Sequence, residues 1–131
     1  MLEPFLLTRS AHGMVGVLAA AALSHPALMR VPSARNALPA SVLAVLTFAG
    51  GVLIYGDYRA GPKRVLLGEA LWLAQAFEVK EHLGFFVAVL AIAGAGLLRA
   101  GAVADARRCY QAGAALAWVV VATGWLVSGW G

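Results

Sequence analysis

Four long apolar stretches dominate the sequence, and no other feature limits the possible folds as strongly. They cover approximately residues 5–29, 39–55, 77–98 and 112–127, with short polar segments between them. Each holds about 16 to 25 residues, close to the length that a helix needs to cross the roughly 30 Å hydrocarbon core of a bilayer. The sequence therefore predicts an all-α integral membrane protein, a four-helix bundle forming one domain in a lipid bilayer.

The composition supports this class and argues against a soluble one. Of the 131 residues, 62% are hydrophobic and 12% are charged, and a soluble domain of this size could not bury so much apolar surface. The net charge of +4 comes from basic residues in the loops between apolar stretches, where membrane retention explains them and nucleic-acid binding is not expected. The single cysteine, Cys109, excludes an internal disulfide.

The segment before the third stretch permits two structures. No strong helix breaker lies between Arg64 and Arg99, and one helix over that segment would measure about 54 Å, far more than the bilayer core. We therefore predict either a long third helix that projects from the membrane, with a bend near Glu78, or a separate interfacial helix over residues 64–76.

Ionisable side chains gather at the start of the third stretch. Glu81 and His82 follow Glu78 by three and four residues, so they lie on the same side of a helix as Glu78. Such groups are costly in hydrocarbon and persist there when something binds them. The first and third stretches run in the same direction, so His12, near the start of the first, should lie at a similar depth to His82. This level of the bundle is the predicted functional site.

Two imidazoles at one depth predict haem b as the first candidate cofactor. His12 and His82 would bind the iron from its two faces, as axial ligands within a helix bundle. Arg9, Arg59 or Lys80 would contact the propionates, and Tyr55 or Tyr58 would donate hydrogen bonds to them. On this interpretation the protein is a redox subunit in electron transport, which passes electrons to or from a quinone or a partner subunit.

Three alternatives stay open at the level of sequence. The first is a divalent zinc, iron or manganese ion bound by His12, Glu78 and His82, with Glu81 as a fourth or outer ligand. The second is a quinone or another small ligand that exchanges protons with His82 or Glu78. In the third, the same side chains mark the solvated edge of a non-catalytic scaffold subunit without a cofactor. The sequence assigns no catalytic residue.

Orientation and partners follow from the loops. Four spans place both termini on one side, and lysine and arginine number five on each side, so the positive-inside rule does not decide the orientation. The compact basic loops favour both termini outside, in a bacterial-type inner membrane. The many glycines and alanines allow close helix packing, which predicts association with other membrane subunits or as a homo-oligomer.

Overall fold

The computed structural model describes the backbone of residues 3–128 and the side chains of residues 10–127. Within that range the chain forms five helices and no strand: α1 Glu3–Leu28, α2 Ala34–Ala60, α3 Pro62–Glu69, α4 Leu71–Arg99 and α5 Val103–Ser128. The helices α1, α2, α4 and α5 are long and apolar enough to cross a membrane. The predicted all-α four-helix membrane bundle is therefore confirmed.

The segment before the third span forms two helices rather than one. The short helix α3 ends at Glu69 and α4 begins at Leu71, because Ala70 has φ −151° and ψ 67°, a conformation that interrupts a helix. The chain thus breaks at Ala70 and not near Glu78. The 29 residues of α4 measure about 43 Å, so this helix is longer than the hydrocarbon core, as predicted.

The four long helices form a closed ring. In this ring α1 packs against α2, α2 against α4, α4 against α5, and α5 against α1. Consequently α1 and α4 stand diagonally across the interior, and side chains from both can reach the same central space. The short helix α3 packs against α2 and α4, at the end of the bundle where α2 ends and α4 begins.

Small residues line most of the interior. The buried core contains alanines from all four long helices: Ala20, Ala27, Ala37, Ala40, Ala44, Ala91, Ala106, Ala114 and Ala117. Large apolar side chains such as Leu46, Leu53 and Ile92 point outward. This distribution is typical of membrane helices, which approach closely on small residues and present large residues to lipid.

One end of the bundle, where α1 and α4 end and α2 and α5 begin, is tightly packed, and we call it the closed end. The Tyr110 side chain is completely buried there. Its hydroxyl lies 3.1 Å from Ser41 Oγ, which is 3.0 Å from the carbonyl oxygen of Ala91. A Cβ atom on Gly94 would lie 3.0 Å from the Tyr110 ring. The absence of a side chain at Gly94 therefore makes room for the aromatic ring.

Candidate functional site

The opposite end of the bundle, which we call the open end, contains a cavity of about 430 Å³. All four long helices contribute to its walls, and α3 covers one side through Pro62, Val65, Leu66 and Glu69. A second cavity of about 60 Å³ lies next to it, toward the middle of the bundle. The larger space lies within the range of small-molecule binding pockets.

His12 reaches the interior because α2 has glycines opposite it. A Cβ atom on Gly51 would lie 3.2 Å from His12 Cε1 and 3.4 Å from Nε2, and 3.7 Å from Glu81 Oε2. The imidazole of α1 and the carboxylate of α4 thus approach the same point on the backbone of α2. Both side chains line both cavities, so they stand where the two spaces meet.

Lys80 completes the polar group on this wall. Its side chain is buried although it carries a charge, and its ammonium Nζ lies 2.8 Å from Glu81 Oε1. The same nitrogen is 4.6 Å from the centre of the Phe77 ring, a cation–π distance. A buried lysine persists only when a partner compensates its charge. We call His12, Lys80 and Glu81 the polar trio.

Tyr58 forms a second polar position on the cavity wall. Its ring stacks on Phe77 with centroids 3.7 Å apart, and the residue is 6% exposed. Its hydroxyl is buried and has no hydrogen-bond partner among the described residues. Burying an unpaired hydroxyl costs about 1 to 3 kcal/mol, so a hydrogen-bonding group brought to this position would remove a penalty.

Glu78 lies outside the polar trio and anchors α3. Lys63 of α3 donates a hydrogen bond to Glu78 Oε1, and the Tyr55 hydroxyl donates to the same carboxylate at 3.0 Å. The Glu78 carboxylate raises the pKa of Lys63, since it stabilises the charged ammonium. Arg59 is exposed and lies over the Tyr55 ring at 5.9 Å. These contacts tie α3 to α2 and α4.

His82 points away from the cavity. Its side chain is exposed, and its Nδ1 donates a 2.7 Å hydrogen bond to the carbonyl oxygen of Glu78, one turn earlier in the same helix. The structure therefore does not bring His82 and His12 together. Among residues 10–127, no three His, Cys, Asp or Glu side chains gather closely enough to hold a metal ion. Haem b and divalent-metal binding stay predictions.

The sequence-predicted site residues separate into three groups. His12, Glu81 and Tyr58 line the cavity; Glu78, Arg59 and His82 lie outside it; and the side chain of Arg9 lies outside the described residues. The sequence indicates Lys80 only as one of three alternative propionate contacts, and the structure places its side chain in the interior. Lys80, Gly84, Val87, Ala91 and Gly94 follow a spacing of four and three residues, and the small members of this series mark the inward face of α4.

The rim of the cavity is open on one side. Val65 of α3 and Trp125 of α5 line it and are exposed. A ligand held inside could therefore extend outward between α3 and α5, toward the surrounding lipid.

Comparisons of this chain with protein-family models, with curated proteins and with solved structures found no match.

Proposed function

We propose that this protein is a membrane subunit that binds a lipid-soluble quinone in the open-end cavity and exchanges protons with its head group. The observation that carries the proposal is the buried Tyr58 hydroxyl, which lacks a hydrogen-bond partner among the described residues and lies on the wall of a mostly apolar cavity. Tyr58 and the polar trio line the same cavity, which supports a ligand with more than one hydrogen-bonding group.

The two polar positions suit a ring that carries two hydrogen-bonding oxygens. Tyr58 follows Gly51 by seven residues, which places them two turns apart on one face of α2. The Tyr58 hydroxyl would donate to one quinone carbonyl, and Lys80 or His12 would donate to the other. Ile54, Val65, Val120 and Val121 provide apolar walls for the ring substituents.

The polar trio supports proton exchange at the head group. His12 and Glu81 can each accept or donate a proton within reach of a bound oxygen, which is the requirement for general acid and base groups. Lys80 would stabilise negative charge that develops on the ring. Because a quinone changes its protonation only when electrons move, the proposal includes a neighbouring electron-transferring subunit in the membrane.

Tryptophan fluorescence tests the proposal directly, because Trp125 lines the cavity. Decylubiquinone, titrated into the protein in dodecyl maltoside micelles, should quench the emission with a saturable component. Tyr58→Phe keeps the aromatic stack on Phe77 but removes the hydroxyl. We expect it to raise the apparent Kd about five- to tenfold, because the loss of one hydrogen bond costs roughly 1 kcal/mol of binding free energy.

Two control variants make this test specific. Tyr110→Phe removes a hydroxyl at the closed end and should leave the apparent Kd unchanged, whereas Trp125→Phe should abolish the saturable component while leaving the unsaturable quenching caused by partition into micelles. Equal Kd values for Tyr58→Phe and the parent, or quenching without saturation in the parent, would refute quinone binding and favour the scaffold interpretation.

The structure also bears on orientation. Lysine and arginine number five at each end by sequence, but Lys80 of the open end lies inside the bundle, whereas all five cations of the closed end are arginines of its loops and helix ends. When only the basic residues of loops and helix ends are counted, the closed end has more of them than the open end. The positive-inside rule then places the closed end in the cytoplasm. The proposed orientation has both termini, and the cavity, outside a bacterial-type inner membrane.

Topology reporters check this orientation. Alkaline phosphatase fused after Gly131 should be active in a bacterial host, because it folds only outside the cytoplasm, and green fluorescent protein fused at the same point should be dark. The reverse pair of signals would place the cavity on the cytoplasmic side.

A further inference from the structure

The closed end presents a concentrated positive charge with little to balance it. Its five cations are all arginines, and the segments 29–35 and 99–108 contain one acidic residue, Asp105. That carboxylate pairs with the neighbouring Arg108 at 3.1 Å. Most of the arginine charge at this end is therefore available to an external anion.

Two of these arginines lie near one corner of the bundle. Gln111 Nε2 of α5 donates a 3.3 Å hydrogen bond to the carbonyl oxygen of Ala27 in α1. Arg107 precedes Gln111 by one helical turn, and Arg30 follows Ala27 by three residues, so both occupy the corner where α1 ends and α5 begins. We call Arg30 and Arg107 the arginine corner.

Arg107 carries a second, independent sign of an absent partner. Its Nε atom is buried and has no hydrogen-bond partner in the described part of the chain. An arginine side chain offers five N–H donors in a planar fork, which matches the oxygens of a phosphate group. A donor of a charged group that is buried without an acceptor is costly. Because the residue as a whole is only partly buried, part of the side chain stays accessible to an external anion.

The apolar neighbours of the corner point to a lipid as the source of that acceptor. Leu28 is 82% exposed and Val31 is 65% exposed, and they flank Arg30 in the sequence. Apolar side chains interleaved with arginine suit the boundary between acyl chains and head groups, where anionic lipids attract basic residues. A soluble anion would gain nothing from the exposed leucine and valine.

We propose that the arginine corner binds the phosphodiester of an anionic phospholipid, with Arg107 and Arg30 as hydrogen-bond donors and with Leu28 and Val31 against the acyl chains. This site is separate from the cavity at the open end. It is independent of the quinone proposal, since the two sites lie at opposite ends of the bundle.

Native mass spectrometry and thermal unfolding test the proposal on the full-length protein in detergent. The protein is supplied with phosphatidylglycerol, with phosphatidylcholine, or with inorganic phosphate. We expect a retained phosphatidylglycerol molecule and a Tm higher by roughly 3 °C than with phosphatidylcholine. Arg107→Gln should lose both effects, and Arg30→Gln should weaken both. Arg64→Gln, which removes an exposed arginine at the open end, should keep both.

Each other result overturns the proposal. Equal retention of phosphatidylglycerol and phosphatidylcholine would show that the head-group charge is not recognised. The same Tm shift with inorganic phosphate would identify a phosphate-ion site instead of a lipid site. Undiminished lipid retention in Arg107→Gln, or in Arg107→Lys should the glutamine variant not fold, would show that the guanidinium fork is not used.

Discussion

Replacing Lys80 by methionine is expected to lower the free energy of unfolding by about 3 kcal/mol or more. The substitution keeps the length of the side chain but removes the charge that compensates Glu81. Lys80 is 9% exposed and the ammonium lies 2.8 Å from the Glu81 carboxylate, so the variant would leave an unpaired negative charge in the interior. The cation–π contact with Phe77 is lost as well. Unfolding by sodium dodecyl sulfate, followed by circular dichroism, measures the change.

A double-mutant cycle separates the charge from the packing. Glu81→Gln leaves the lysine unpaired and should also be destabilising, whereas the double variant K80M/E81Q removes both charges and should recover much of the lost stability. If the two single effects simply add in the double variant, the ion pair does not stabilise the fold and the polar trio is not coupled. Glu69→Gln, a neutralisation on the cavity wall within α3, serves as the control for a change in net charge.

The second large effect concerns Gly94 at the closed end. Gly94→Ala would place a Cβ atom 3.0 Å from the Tyr110 ring, and the ring cannot retreat because it is completely buried and its hydroxyl is bonded to Ser41. Overpacking of this kind costs typically about 1 to 3 kcal/mol. We expect a loss of about 2 kcal/mol in the free energy of unfolding, measured by the same method.

Gly96 provides a matched control in the same helix. A Cβ atom there would meet no atom within 4 Å, so Gly96→Ala should leave stability unchanged or raise it by less than about 1 kcal/mol through helix propensity. Equal unfolding curves for the two variants would show that the Tyr110 ring can adjust, and that the closed end is less rigid than its contacts imply.

The fold could be predicted from the sequence because hydropathy reports spans without knowledge of any partner. The four apolar stretches correspond to α1, α2, α4 and α5. The sequence allows a separate helix before the third span but does not predict where it ends, because the break falls at Ala70, a good helix former. Its cause is tertiary: Ala70 is buried in a cluster with Tyr58, Leu66 and Leu73, and that packing overrides the local preference.

The candidate site could be predicted only in part, for a physical reason that concerns helix faces. His12, Glu81 and Tyr58, which the sequence indicates as polar groups near one end, line the cavity. The grouping of Glu78 with His82 on the functional face was misleading, because a spacing of four residues shows that two side chains share a face but not which face points inward. The small residues Gly84, Ala91 and Gly94 share a helix face with Lys80 and indicate that this face points inward.

The packed Tyr110 region and the open-end cavity lie apart, and this separation affects which substitutions the protein can accept during evolution. Substitutions at Ile54, Val65 or Val121 alter the shape offered to a ligand while leaving the Ser41, Gly94 and Tyr110 contacts untouched. In a chain of 131 residues, the apolar part of the cavity wall can thus change without altering the contacts that pack the closed end.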